Sequence, residues 1–386
     1  MFREVGFWAN RRARFHYRVA GIWTRLQRYG LAADAYRKVL HSWPEDRQAQ
    51  FYRAWCLLQV PARRPEGIVE FQTLIEASPS GSAYYLMACG LQQEQRLDEA
   101  VLAFHESLRL EDAGAAEVHI NLADCLWDLS RFSEAADEYQ NAAHLNPSDA
   151  NGWSCLGAAY AELGRWKEAA PCFERAWRLA PNLQNGVDFV DTLFELNRLD
   201  EAERVVRDTC ALNGKSIEAR NRLALVLSGL DRYDEALEIA RATCAHAPDD
   251  VSSRCILAVV LSEAGDLKAA LKEAQSALEV APTDTQSHLA LGSVYVKMHD
   301  GAGALAAFER AAEGLTAFGD RPMRAARSAC AAGRAAALSL LARHDEAVAA
   351  FDALLHDDPT LFERWPEVMP HYERSLRVGS RHRVDR

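Results

Sequence analysis

No run of eighteen apolar residues occurs anywhere in this 386-residue chain, so a membrane-spanning helix is not expected. The opening Met1-Phe2-Arg3-Glu4-Val5-Gly6-Phe7-Trp8 leads into the basic run Arg11-Arg12-Ala13-Arg14. No apolar stretch with a small-residue cleavage site follows, and no secretory signal is read there. Nine cysteines stand singly, without one CxxC pair. An odd, scattered set fits neither a disulfide framework nor a zinc site, and points to free thiols in a reducing, cytoplasmic setting. HExxH, GxSxG and GxxxxGK[ST] are all missing, and no convergent catalytic constellation replaces them. The expectation is a chain that is not an enzyme and holds no cofactor or metal. Period-two alternation is never sustained, so no strand is expected. Lysine is scarce as well, with arginine supplying nearly all of the 44 basic residues. Together with abundant alanine, that points to a GC-rich, bacterial coding sequence.

What is present suits a folded chain: 49% apolar and 26% charged residues are ordinary values for a globular protein. Charge is unevenly spread. Against a total of −11, the first 65 residues carry +9 and the last 26 carry +2, which leaves −22 for the stretch between. Segregated charge can steer a partner, whereas an evenly mixed surface cannot.

The dominant signal is internal repetition. Residues 150–183 carry Trp153, Leu156, Gly157, Tyr160, Ala169, Phe173, Ala176 and Pro181. The same 34-residue frame recurs with starts near 13, 48, 81, 116, 150, 183, 217, 251, 285 and 328. Its eighth and twentieth positions are almost all Ala or Gly, as needed where two antiparallel helices approach closely. Trp55 and Val190, at the eighth positions of repeats two and six, are the exceptions. The twenty-fourth is bulky in seven repeats, from Tyr36 to Phe351, and smaller at Val206, Ala240 and Ala274. Proline closes seven repeats, ending one helix and redirecting the chain.

This pattern resembles the tetratricopeptide repeat (TPR) family. The resemblance implies an all-α, right-handed superhelical solenoid of about ten helix-turn-helix repeats spanning residues 13–361. A basic, aromatic lead-in (1–12) would precede it, and a capping helix with a basic tail (362–386) would follow. An insertion is expected at about 314–327, and an extra residue near Ala115. Two tempting motifs fall at helix turns and ends: Gly301-Ala-Gly303-Ala-Leu-Ala306 lacks the strand of a dinucleotide site, and His356-Asp357-Asp358 sits just before Pro359.

In the family geometry, first-helix positions 2, 5, 6, 9, 12 and 13 line a concave groove. The residues expected there are first Arg14, Tyr17, Arg18, Arg25, Tyr52, Arg53 and Tyr85, a basic and aromatic set. Next come Asn121, Asp124, Trp127, Asp128, Glu162, Asp188, Asp191, Glu195, Asn221 and Arg222, a mostly acidic set. From repeat eight onward these positions turn small or apolar, as at Cys255, Val259, Ala332 and Ala336. Neither the Lys/Asn/Arg clamp of chaperone-binding TPR domains nor the asparagine ladder of O-GlcNAc transferase is present, since only Asn121 fits the latter. The expected function is a non-enzymatic scaffold that binds a peptide or helix of a protein partner, with cationic segments favoured by the acidic middle. Alternatives are self-assembly into oligomers, and nucleic-acid binding through the arginine-rich amino end. A pI near 5.6 argues against nucleic acid, which basic modules bind.

Overall fold

The computed structural model describes residues 2–110, 116–317, 324–357, 361–364 and 368–384. Among them there are helices and turns but no strand. The extra residue near Ala115, part of the insertion (318–323), Asp358-Pro359 and Trp365-Pro366 lie outside the described residues. The chain forms two compact units, Met1–Pro147 and Ser148–Arg386.

The first unit holds four antiparallel pairs: α1 (Phe2–Arg25) with α2 (Tyr29–Ser42), α3 (Arg47–Leu58) with α4 (Arg64–Ala77), α5 (Gly81–Gln93) with α6 (Leu97–Leu110), and α7 (Ala116–Asp128) with α8 (Phe132–Leu145). Residues 2–12 are helical and continuous with α1. The second unit continues with α9 (Ala150–Glu162) and α10 (Trp166–Leu179), then α11 (Leu183–Glu195) and α12 (Leu199–Leu212), α13 (Ile217–Gly229) and α14 (Tyr233–His246). Next come α15 (Val251–Glu263) and α16 (Leu267–Val280), α17 (Thr285–Lys297) and α18 (Gly301–Ala317), α19 (Arg324–Leu340) and α20 (His344–Asp357). The short α21 (Leu361–Arg364) and α22 (Met369–Val384) close it, with α22 packed on α19 and α20.

Most pairs start and turn by the same local chemistry. First helices begin at side-chain caps: Asp149 accepts from the Asn151 N–H (3.0 Å), Ser216 from Ala219 (3.2 Å) and Asp250 from Ser253 (2.7 Å), each satisfying an otherwise orphaned donor. They end in a left-handed residue, Gly164 at φ +74° in repeat five and Asp231 at φ +60° in repeat seven. There the next N–H reaches back five residues, Arg165 to the Tyr160 carbonyl (2.8 Å) and Arg232 to Leu227 (2.9 Å), which satisfies the carbonyls of the helix end. Second helices open on Arg-x-x-Glu pairs such as Arg96–Glu99, Arg131–Glu134 and Arg232–Glu235. Repeat two instead turns through the 3-10 segment Pro61–Arg63.

The small positions are where the helices touch. Ala100, Ala135, Ala169, Ala202, Ala236, Ala270 and Ala304 are fully buried. A Cβ on Gly157 would stand 3.0 Å from the Phe173 ring, and one on Gly292 would stand 2.8 Å from Phe308. Repeat two departs from the expected register. Fully buried Ala54 takes the close-approach place, its carbonyl 2.9 Å from the Cβ that Gly67 lacks. Trp55 instead stands edge-on to Tyr29 of the preceding pair (centroids 5.5 Å). Alanine fits that place because an indole there would force the two backbones apart.

Candidate partner-binding faces

Curvature within each unit follows from which helices touch. In the second unit α11 packs on α13, α13 on α15, α15 on α17, and α17 on α19. In the first unit α3 meets α5 and α5 meets α7. Second helices of successive pairs, such as α12 and α14, meet far less among the described residues. First helices therefore form the shorter, inner side of each unit, and their side chains are the candidate contact surface.

In the first unit, Arg14, Arg18, Arg25 and Tyr52 are exposed. Tyr17 stands edge-on to Tyr36 (5.6 Å), which stacks on Tyr52 (5.9 Å, 18°), so three rings run across the first two repeats. Arg53 is turned to Glu70 of α4, 2.6 Å away; burial raises the Glu70 carboxyl even though that guanidinium pulls the other way. Asn121 donates to the Tyr85 hydroxyl (3.0 Å), tying α7 to α5. Burial, with Cys89 beside it, pushes that phenol up to about 12. Asp124 accepts from the Tyr139 hydroxyl (2.5 Å), and its carboxyl is raised by burial. Half-buried Trp127 stands edge-on to Phe132 at 5.1 Å. Asp128 faces solvent.

In the second unit, Asp191 and Arg222 form a two-pronged pair between α11 and α13, with Nη2 2.9 Å from Oδ2. Asp188, one turn earlier, accepts from Gln184 (2.8 Å). Burial raises its carboxyl to about 6, and Asp191 and Glu218 push the same way. Asn221 is only 2% exposed and donates to the Ser253 hydroxyl (3.1 Å), so its amide ties two repeats together inside the stack. Glu195 is half-buried. Glu162 accepts the backbone N–H of Arg324 at 3.3 Å. Burial raises its carboxyl, while Arg324 and Arg327 pull it down. The acidic set is thus largely engaged by the chain's own donors.

A pocket of about 610 Å³ opens on the inner side of repeats eight to ten. Val259, Val294, Phe308, Ala332 and Ala336 wall it, while Ser262, His299 and His371 supply polar atoms. Glu263 and Lys297, paired to each other, stand on its rim. Burial, with His299 and Arg374 nearby, lowers the His371 imidazole. Glu263 and Lys297 are 34 residues apart at the same repeat position, a signal the periodicity contained. His371 lies on α22, outside the repeat frame, and no periodicity could have placed it.

Taken together, these features define a class: an all-α array of helix pairs whose inner faces carry exposed rings, charges and an apolar pocket, which is the build of a protein–protein interaction scaffold. Family models agree on which array it is. The "TPR repeat" model matches residues 123–164, and "Tetratricopeptide repeat" models match 150–183 and 11–60, 187–251 and 221–287. The chain belongs to the tetratricopeptide repeat family. A tetratricopeptide repeat protein from Parabacteroides merdae shares the fold, with a TM-score of 0.55 at 17% identity, covering 63% of this chain and 92% of that one. Among curated proteins, the chain is 30% identical over 107 residues to "Superkiller protein 3" of Schizosaccharomyces pombe, which is 28% of this chain and 8% of that protein. It is 23% identical over 184 residues to human "Protein O-mannosyl-transferase TMTC1", 47% of this chain and 20% of that protein. The matched stretches are thus a fifth or less of these relatives' lengths. Among the described residues no helix is long and apolar enough to cross a membrane.

Proposed function

We propose that this chain is a non-enzymatic scaffold that holds an extended or helical segment of a partner protein against its first-helix faces. The observation that carries this reading is the pocket on repeats eight to ten: apolar walls at Val259, Ala332 and Ala336, with polar groups at Ser262, His299 and His371. An apolar socket with a few placed polar groups is what a peptide side chain needs for both affinity and orientation. The exposed Arg14, Arg18, Arg25 and Tyr52 of the first unit are proposed as a contact face of their own, and the acids Glu162, Asp188 and Asp191 of the second are proposed to extend the contact made at the pocket. Cationic segments are the favoured ligands of the latter, once the chain's own donors have been displaced. A cytoplasmic setting fits nine cysteines of which none forms a disulfide.

Panning a displayed peptide library against the protein tests this. Enriched sequences should bind the parent and Arg310→Ala, a change on an exposed second helix, but should lose binding to Ala332→Trp, which fills the pocket. No enrichment, or enrichment indifferent to Ala332→Trp, would sink the reading.

A second reading, self-association, is favoured by one observation. Phe15, Ile22, Leu26 and Leu31 on the first helix pair are each half or more exposed, and an exposed apolar face of this kind invites another copy.

A further inference from the structure

In a stack of repeats each unit touches its neighbours, and one contact in the second unit breaks that rule. The N–H of Arg324, first residue of α19, meets Glu162 Oε2 at the end of α9 (3.3 Å). These belong to repeats ten and five, with four helix pairs between them. The side chain follows the backbone. A Cβ on Gly164 would lie 2.8 Å from Arg324 Nε, 3.0 Å from Cζ and 3.0 Å from Nη2. The guanidinium thus lies flat on the α9–α10 turn, in space that only glycine at φ +74° leaves open. Arg327, one turn further along α19 and exposed, adds its charge to the attraction on Glu162.

We propose that the Arg324–Arg327 end of α19 is an intramolecular latch, which bridges repeats five and ten over the inner face of the second unit and excludes cationic segments from Glu162 until it opens. The proposal rests on the reading of that face as a partner-binding surface. Three features make the latch fit its role. It fills one of the proposed partner-contacting acids with this chain's own arginines, so occupant and ligand share one chemistry. It includes neither partner of the Asp191–Arg222 pair and none of the residues that line the pocket of repeats eight to ten, so it is separate from both. Its attraction is between partly solvated charges, which salt and competing cations weaken.

The test uses the full chain and two readouts. Hydrogen exchange at the amides of 324–328 reads the latch directly: Glu162→Ala, and separately 0.5 M salt, should each speed exchange there at least fivefold, with α13 amides unchanged. Exchange that ignores Glu162→Ala overturns the latch. Affinity for a labelled (Arg-Ala-Ala)4 peptide reads exclusion. Arg324→Ala/Arg327→Ala should bind it several-fold more tightly than the parent, and adding Glu162→Ala should remove the gain. Equal or weaker binding by the double variant overturns exclusion, even if exchange responds. Melting curves confirm that each variant is folded. Failure of the scaffold reading is told apart by the library panning, which turns on Ala332 and involves neither Glu162 nor the arginines.

Discussion

Arg222 lies side-on to Asp191 across two adjacent repeats, Nη2 2.9 Å from Oδ2 with Nε facing Oδ1. The planar fork of arginine matches a carboxylate in this two-pronged way, and lysine cannot reproduce it. The pair is partly solvated, with side chains 26% and 45% exposed, so its contribution is modest. Arg222→Lys should lower stability by about 0.5–1 kcal/mol, with a double-mutant coupling to Asp191→Asn of similar size. Urea titrations of the four proteins check it, and a coupling near zero would mean the pair is only a crystal-clear geometry without energetic weight.

One turn away, Asp188 shows the opposite balance. Its carboxyl is raised to about 6 by burial first, then by Asp191 and Glu218. A carboxyl higher in the folded than in the unfolded chain stabilises the fold below the unfolded value near 4, and that stability is lost as pH rises through about 6. Asp188→Asn, which can still accept from Gln184, should therefore stabilise the protein at pH 8 by on the order of 2 kcal/mol. Near pH 4 it should change little. Thermal melts at the two pH values decide, and a variant less stable at pH 8 would contradict the burial argument.

The close-packed positions make a third case. Ala169 is fully buried in the cluster with Phe173, Phe189 and Val190. Ala169→Leu should overpack it and cost about 1–3 kcal/mol. Arg165→Ala, on the exposed turn where Arg165 pairs with Glu168 and covers the Tyr160 ring at 4.6 Å, should change stability by roughly 0.5 kcal/mol or less. Equal shifts in Tm would refute this division between core and turn.

These examples also show which features the residue pattern revealed. Gly157, Ala169 and Phe173 announce the helix pair because a small-to-large contact must recur wherever two helices meet at one distance. The all-α repeat fold was legible for that reason. Side-chain direction at polar positions was harder, since it depends on partners on other helices, in the same repeat or in the next. Asn121 finds Tyr85, Asp124 finds Tyr139 and Asn221 finds Ser253, and repeat spacing alone names none of these. Trp55 misled for a related cause: the connection of repeat two, residues 59–63 with the 3-10 segment Pro61–Arg63, is longer than the 163–165 turn of repeat five, which moves the frame by one residue and brings Ala54 to the contact. Glu162 and Arg324 are 162 residues apart, beyond anything periodicity can relate.

The apolar face of the first helix pair leads to the last prediction. Phe15, Ile22 and Leu26 lie on α1 or its end at steps of seven and four residues, so they share one side, and all are more than half exposed. Water-exposed apolar surface gains roughly 25 cal/mol per Å² on burial. Three large side chains covered by a second copy would thus give a few kcal/mol, which offsets part of the cost of joining two bodies and leaves the rest to other contacts. The surrounding arginines Arg14, Arg18 and Arg25 oppose a face-to-face dimer of this end. A head-to-tail contact, with the basic end of one copy on the acidic second unit of another, satisfies both the apolar and the charge terms. Sedimentation velocity should show mass rising with concentration at low salt and falling back toward the monomer near 0.5 M, where charges are screened over about 4–5 Å. Phe15→Ser/Ile22→Ser/Leu26→Ser should stay monomeric throughout while melting close to the parent, since the three side chains are exposed. A parent that is monomeric at every concentration and salt, or a triple variant that still associates, would remove self-assembly through this end from consideration.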